Sequence, residues 1–237
     1  MKLLAYITGS SSGIGKATAE LLLKQGYHVI GLSRSNEIAH PNFTFRPIDL
    51  ADISAVKLFS FDHEAERVIL INNAGILGEV GPVGTIEDAE IVNVININTL
   101  APQILINKFL KRFLNKKGSF HVLNISSGAG KRPIPSWAAY CASKAAIDLF
   151  SETVAEELEW KQKDNWFIHS CAPGVVDTKM QEQIRSTSYE QFKLVDNFIA
   201  YKENQELYTP DYVASQLFKV INDPASFPET IISVREF

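Results

Sequence analysis

Tyr140 and Lys144 are the residues of this 237-residue chain whose types and spacing indicate proton transfer. Apolar residues after them recur at helical spacing, so two side chains four positions apart are expected on one face of one helix. A tyrosine hydroxyl ordinarily has a pKa near about 10 and is a poor acid at neutral pH. An ammonium group one helical turn away stabilises the phenolate and lowers that pKa. The pair therefore predicts a tyrosine that donates a proton at neutral pH.

Ser127 is a further candidate for the same site. It lies thirteen residues before Tyr140, at the end of the apolar run 120–125, which is typical of a buried parallel strand. Open α/β sheets bind their ligands at the carboxyl ends of such strands. A Tyr-x-x-x-Lys pair also arises by chance on solvated helices, so its meaning depends on the rest of the chain.

A glycine-rich turn follows the first apolar run of the chain, residues 3–7. It reads Thr8-Gly9-Ser-Ser-Ser-Gly13-Ile14-Gly15, and apolar residues at helical spacing follow it. Glycines let the backbone turn sharply and approach a ligand, and a helix N-terminus offers free N–H groups to a pyrophosphate. The turn predicts a dinucleotide site. A plain tight turn is the alternative, because the spacing differs from G-x-G-x-x-G.

The second expected strand, 27–32, ends in Ser33 and Arg34. An acidic side chain at this place in a Rossmann unit binds the adenosine ribose, whereas an arginine accommodates a 2′-phosphate. The end of this strand has the arginine and lacks the acid, and both observations favour NADP(H). The alternative is that Arg34 is an ordinary solvated surface residue.

The remaining chain alternates between strand-like and helix-like segments. Further strands are expected at 43–48, 67–71, 166–171 and 230–234, and helices at 86–98 and 99–116. Pro102 lacks the N–H that would bond to the carbonyl of Asn98, which is therefore expected to be free. The alternation predicts an α/β fold, a Rossmann-type doubly wound parallel sheet in a single domain, 1–237. Within it, 178–208 is polar with scattered apolar residues and is a candidate substrate lid.

Composition and charge limit the possible partners. A hydrophobic content of 46% supports a large core, and a net charge of −4 without a basic run gives no indication of nucleic acid or an anionic membrane. No apolar run approaches the ~20 residues of a membrane span. Cys141 and Cys171 lack metal-ligand spacing, and no signal peptide precedes the first strand. We therefore expect a metal-free protein of the reducing cytoplasm.

The motifs taken together resemble those of the short-chain dehydrogenase/reductase family in order and spacing. They are Thr8-Gly9-x-x-x-Gly13-Ile14-Gly15, Asn72-Asn73-Ala74-Gly75, Asn98, Ser127, Tyr140-x-x-x-Lys144 and Pro173-Gly174. Within the family, the stretches 137–144, 172–181 and 184–186 and the ending 234–237 are similar to those of benzil reductases and sepiapterin reductases.

This resemblance implies a catalytic tetrad that works with a nicotinamide. Its members are Asn98, Ser127, Tyr140 and Lys144. Ser127 would hold the substrate carbonyl while Tyr140 protonates the developing alkoxide. Lys144 would bind the nicotinamide ribose and keep Tyr140 acidic. The backbone carbonyl of Asn98 would link to Lys144 through water.

The same resemblance, carried over position by position, implies the residues around the cofactor. They are Gly9, Ser11, Gly13, Ile14, Ser33, Arg34, Asp49, Leu50, Asn73, Gly75, Tyr140, Lys144, Val176 and Thr178. Ser12 stands where many NADP-dependent relatives carry a second basic residue, so Arg34 would act without that partner.

An apolar substrate pocket is expected beside Tyr140. Its expected lining comprises Leu77, Ile134, Trp137, Val176 and Met180, with some of Phe192, Phe198 and Ile199. Ser233 is a further candidate, because it aligns with the aspartate by which sepiapterin reductases hold the pterin. Its identity as serine disfavours a pterin.

The expected function is an NADPH-dependent carbonyl reductase that acts on a diketone. Alternatives are a 3-oxoacyl or hydroxysteroid-type alcohol dehydrogenase, a sepiapterin reductase, and a non-catalytic dinucleotide sensor. The sensor is disfavoured because such a protein is expected to lose Tyr140 or Lys144. By resemblance alone the protein is expected to form a homodimer through the helices around 99–116 and 136–160.

Overall fold

The computed structural model describes residues 2–237 and contains one seven-stranded parallel sheet. The strand order is β3-β2-β1-β4-β5-β6-β7, and every neighbouring pair is parallel. The strands are β1 (Leu3–Thr8), β2 (His28–Ser33), β3 (Phe43–Pro47), β4 (Arg67–Asn72), β5 (Ser119–Ile125), β6 (Trp166–Ala172) and β7 (Ile231–Ser233). The chain reverses its direction of winding between β1 and β4. The expected Rossmann-type sheet is therefore confirmed.

Helices cover both faces of this sheet. They are α1 (Gly13–Lys24), α2 (Ile53–Leu58), α3 (Asp88–Ile95), α4 (Ala101–Phe113), α5 (Ala138–Trp160), α6 (Lys179–Arg185), α7 (Val195–Glu203) and α8 (Pro210–Asn222). One core cluster includes Phe109 of α4 and Ile147 of α5, and the opposite cluster includes Leu22 of α1 and Leu217 of α8. The central strands are buried on both sides, which explains their continuous apolar runs. The six-residue α2 was not expected, because so short a segment shows no helical period.

The helices α3 and α4 form one helical run, joined by a π-helical turn at Asn96–Leu100. The break expected between 98 and 99 is wrong, because the wider turn absorbs an extra residue: the amide of Ala101 bonds to the carbonyl of Asn96, five positions earlier. By length and composition the run Asp88–Phe113 could also span a membrane, contrary to expectation. Leu105, Ile106 and Phe109 of this run are nevertheless fully buried in the core.

His121 and His169 form a buried pair on β5 and β6. Nε2 of His121 lies 2.8 Å from Nδ1 of His169, and Nε2 of His169 lies 2.8 Å from the carbonyl oxygen of Phe227. Burial lowers the pKa of both imidazoles below the ordinary value of 6.5, for His121 by a large amount. The folded protein therefore keeps both rings neutral where the unfolded chain would bind protons.

We expect the free energy of unfolding to fall as the pH drops below about 6.5, since the unfolded state then binds more protons than the folded state. The slope for each histidine is at most about 1.4 kcal/mol per pH unit. Urea unfolding at several pH values measures it. His121→Gln should lessen the slope, whereas the exposed His40→Gln should leave it unchanged. Equal slopes in all three proteins would show that the pair is not responsible.

Candidate active site

A cleft of about 650 Å³ runs along the carboxyl edge of the sheet, across the reversal between β1 and β4. Open α/β sheets bind ligands at such a reversal. The cleft extends from the glycine-rich turn and Arg34 to Tyr140 and Lys144. Of the expected cofactor residues it is lined by Gly9, Ser11, Gly13, Ile14, Ser33, Arg34, Asp49, Leu50, Asn73, Gly75, Tyr140, Lys144 and Thr178. Val176 is instead buried in the core.

The glycine-rich turn is held against the loop that follows β4. The side-chain amide of Asn73 donates to the carbonyls of Thr8 and Gly9, at 2.9 and 3.2 Å, while Thr8 Oγ1 accepts from the amides of Asn73 and Ala74, both at 3.0 Å. A Cβ atom added at Gly15 would lie 2.3 Å from both Asn73 Nδ2 and the carbonyl oxygen of Gly9. Only glycine fits there. Thr8 is thus a positioning residue that sequence reasoning did not assign.

Arg34 stands at the opposite end of the cleft from Tyr140. Its side chain is exposed and has no hydrogen-bond or ion-pair partner among residues 2–237. The acid that follows it in the loop, Glu37, is paired with Lys16 at 2.8 Å. Ser33 is buried and donates from Oγ to the carbonyl of Ser35 at 2.7 Å. The guanidinium is therefore available to an anionic ligand.

Tyr140 and Lys144 lie one turn apart on α5, and both are buried. The amine of Lys144 donates to the carbonyl of Ile125 at 2.8 Å and lies 5.7 Å from the centroid of the Tyr140 ring. Burial raises the pKa of Tyr140 to about 12, which hydrogen bonding to Ser127 only partly opposes. Burial also lowers the pKa of Lys144 to about 8. The pKa of Tyr140 is thus raised rather than lowered as expected, because desolvation of the buried phenolate is the dominant effect.

Ser127 and Asn98 reach the site from two different elements. Ser127 follows β5 and caps the short 3-10 turn Gly128–Gly130, where its Oγ accepts from the amide of Ala129 at 3.2 Å. Ser126, rather than Ser127, lines the cleft. The side chain of Asn98 lies in the π turn and is fixed by both backbone groups of Ile76, at 2.9 and 2.8 Å.

Asn98 also approaches Lys144 across the loop that follows β4. Its Nδ2 donates to Ser143 Oγ on α5 at 3.1 Å. A Cβ atom added at Gly75 would lie 3.4 Å from both Asn98 Oδ1 and Lys144 Nζ, so both side chains border this glycine. The structure therefore brings the residues of the expected tetrad together, although Asn98 remains behind the cleft wall.

An aromatic cluster covers the other side of Tyr140. Trp137 stacks on Phe192, with ring centroids 5.1 Å apart, and contacts Phe198 at 5.3 Å and the edge of Tyr140 at 5.9 Å. The expected pocket residues in this cluster are Leu77, Ile134, Trp137, Met180, Phe192, Phe198 and Ile199. A cavity of only about 10 Å³ remains between Leu77, Trp137 and Tyr140. The indole N–H of Trp137 is buried without a hydrogen-bond partner among residues 2–237.

Ser233 lies apart from this cluster, at the carboxyl end of β7. Its Oγ accepts from the amide of Arg235 at 3.3 Å, and it borders neither the cleft nor the small cavity. The structure thus places Ser233 as a cap for the last turn of the chain.

A salt bridge that the sequence did not indicate joins α7 to the loop after β6. Lys202 Nζ lies 2.5 Å from Asp177 Oδ2, and both residues line the cleft beside Thr178. The segment 178–208, the candidate substrate lid, contains the short helices α6 and α7. This contact holds its second helix over the cleft.

Comparisons with known proteins agree with this geometry. The family model for short chain dehydrogenase matches residues 3–188. The chain is 38% identical to a benzil reductase ((S)-benzoin forming) of Bacillus cereus, over 94% of this chain and 95% of that protein. It is 35% identical to another from Bacillus subtilis (strain 168), over 99% of both, and 32% identical to the sepiapterin reductase of Rattus norvegicus, over 79% of both. A solved 4-hydroxyisoleucine dehydrogenase complexed with NADH superposes with a TM-score of 0.79, at 30% identity over 98% of this chain and 96% of that one.

Proposed function

Because the chain belongs to the short-chain dehydrogenase/reductase family, we propose that it is an NADPH-dependent carbonyl reductase that acts on a 1,2-diketone. An oxidoreductase of this family acts on alcohol or carbonyl groups and uses a nicotinamide dinucleotide. One observation carries the proposal. The buried pair Tyr140 and Lys144 stands at one end of a cleft whose other end is a glycine-rich turn followed by Arg34.

The residues of the cleft fit such a cofactor. Gly9 and Gly15 let the turn pack closely against Asn73. The first residues of α1, Gly13 and Ile14, line the cleft, where free N–H groups of the helix N-terminus would meet a pyrophosphate. The exposed guanidinium of Arg34 would hold a 2′-phosphate, and Glu37 is already occupied by Lys16. These features support NADPH, although the solved 4-hydroxyisoleucine dehydrogenase is described with NADH.

The bound cofactor would supply the hydride. Ser127 would donate its hydroxyl proton in a hydrogen bond to the substrate carbonyl oxygen, which increases the positive character of the carbon. Tyr140 would then give its phenolic proton to the same oxygen as negative charge develops there. Its raised pKa keeps that proton in place at neutral pH. Lys144 would hold the nicotinamide ribose, and Asn98 would connect Lys144 to solvent through its backbone carbonyl.

The aromatic cluster supports an aryl or alkyl 1,2-diketone as the substrate. Trp137, Phe192 and Phe198 offer flat apolar surfaces beside Tyr140, on which aryl rings pack favourably. The cavity of about 10 Å³ beside Trp137 is far smaller than the roughly 300 Å³ of an ordinary ligand pocket. We therefore infer that 178–208 is a lid that withdraws Phe192 and Phe198 when substrate enters.

We expect benzil to be reduced with a higher kcat/KM than sepiapterin. The polar ring of a pterin would meet an apolar surface, and unpaired buried polar groups cost about 1–3 kcal/mol each. NADPH oxidation against benzil, sepiapterin and an acetoacetyl thioester measures the order. Preference of the wild type for sepiapterin would count against a diketone pocket.

We also propose that the enzyme works in the cytoplasm as a homodimer. The exposed apolar side chains of Val92 on α3, Leu100 in the π turn and Leu149 on α5 support self-association through this side of the molecule. The two benzil reductases named above come from bacteria, and Cys141 and Cys171 are both free thiols, as a reducing compartment allows.

A further inference from the structure

Asp148 is a buried carboxylate that lies one helical turn beyond Lys144 on α5, and its side of the helix faces the sheet. It is 9% exposed. Its Oδ1 accepts a hydrogen bond of 2.6 Å from Ser170 Oγ on β6. On the other side a Cβ atom added at Gly130 would lie 2.8 Å from Asp148 Oδ2 and 3.0 Å from the carbonyl carbon of Lys144. The 3-10 turn therefore packs directly against α5 and encloses the carboxylate.

A charged carboxylate in this buried position needs an interaction that offsets the cost of removing it from water. Burial of a charged group is costly unless an opposite charge or hydrogen bonds compensate for it, and Ser170 provides only a neutral donor. Neither Asp148 nor Lys144 has an oppositely charged atom within 4.0 Å among residues 2–237. Charges at a somewhat greater separation still interact strongly in the interior, because the effective dielectric constant is low.

The other titratable groups near Lys144 do not balance the positive charge of its amine, and Asp148 does. Tyr140 on α5 is neutral, because its pKa is about 12. The elements packed against α5 add Glu90 of α3, beside the small cavity beyond Tyr140, and the exposed Lys131 and Arg132 after the 3-10 turn. Burial lowers the pKa of Lys144, and the charge of Asp148 opposes that shift.

We propose that Asp148 is a positioning residue that keeps the amine of Lys144 protonated inside the protein. The inference rests on the proposed function, in which charged Lys144 holds the nicotinamide ribose. A neutral lysine would hold the ribose less well. Asp148 touches neither reactant and acts only through Lys144.

The test is the pH dependence of kcat/KM for NADPH at saturating diketone, between about pH 6 and about pH 10. This parameter reports ionisations of the free enzyme. The wild type should lose activity at alkaline pH as Lys144 loses its proton. In Asp148→Asn that loss should begin about one pH unit lower, because an opposite charge nearby typically shifts a pKa by about one unit or more. The ratio of wild-type to variant kcat/KM should therefore rise nearly tenfold from about pH 6 to about pH 9.

Ser170→Ala is the matched control. It removes the hydrogen bond to the same carboxylate and leaves the charge, so its alkaline limb should stay close to that of the wild type. The double variant Asp148→Asn with Ser170→Asp restores a carboxylate at the same contact. In this variant the alkaline loss of kcat/KM should return toward the pH at which it occurs in the wild type. A uniform loss at all pH values in Asp148→Asn, or equal shifts in Asp148→Asn and Ser170→Ala, would show a structural role and overturn the proposal.

Two further measurements separate this inference from the proposed function. Thermal melting at each pH establishes that the variants are folded, and Asp148→Ser replaces Asp148→Asn if the latter does not fold. NADPH binding, followed by fluorescence over the same pH range, needs no turnover and should weaken at a lower pH in the neutral variant. A wild type that neither binds NADPH nor reduces any carbonyl refutes the proposed function. If the wild type is active and the alkaline loss of kcat/KM occurs at the same pH in Asp148→Asn, only the role of Asp148 is refuted.

Discussion

Tyr140→Phe is expected to lower kcat for diketone reduction by roughly 10²–10⁴-fold, the usual contribution of general acid catalysis. The change removes one hydroxyl and keeps the ring, which packs at its edge against Trp137. The aromatic cluster should therefore survive, and NADPH affinity should change little. The developing alkoxide would have no proton donor, since Ser127 would only hold it by a hydrogen bond.

Single-turnover reduction under saturating NADPH measures this effect directly, and a fluorescence titration measures cofactor affinity. Tyr6→Phe is a suitable control, because Tyr6 is also buried and the amide of His63 is the only hydrogen-bond partner of its hydroxyl among residues 2–237. That variant should keep the wild-type rate. If Tyr140→Phe retained more than about a tenth of the wild-type rate, Tyr140 would not be the proton donor.

Arg34→Ala is expected to weaken the binding of NADPH by roughly ten- to a hundredfold and the binding of NADH hardly at all. A guanidinium forms charge-assisted hydrogen bonds to a phosphate that contribute about 1.5–3 kcal/mol. Arg34 is exposed and lines the cleft, so no other contact would have to break before it binds the phosphate. NADH has no 2′-phosphate and would lose nothing comparable.

Steady-state KM values for the two cofactors, with benzil as the fixed substrate, decide between specific and general roles. Arg132→Ala is the matched control, since Arg132 is an exposed arginine outside the cleft. It should leave both KM values unchanged. Equal weakening of NADPH and NADH by Arg34→Ala would mean that the arginine contributes only general positive charge, and the preference for NADPH would have another source.

The parallel sheet and the positions of the strands could be predicted from local patterns. Largely apolar runs such as 67–71 and 120–125 became β4 and β5 with ends within one residue of the prediction, because a strand buried on both faces is mostly apolar. The spacing of Tyr140 and Lys144 likewise placed both on one side of α5, since a helix has a fixed period. Such features depend only on residues that are close together in the chain.

The electrostatics and the closed state of the pocket required the tertiary structure. The helical spacing showed that Tyr140 and Lys144 are neighbours, but their pKa values depend on burial by segments distant in the chain, and that burial reversed the expected shift of Tyr140. Asp148 gave no signal, because its role depends on contacts with Ser170 and Gly130. Phe192 reaches Trp137 only when the segment after β6 folds back across the sheet. Local periodicity carries no information about which distant side chains exclude water from a charge, and that exclusion sets the chemistry of this site.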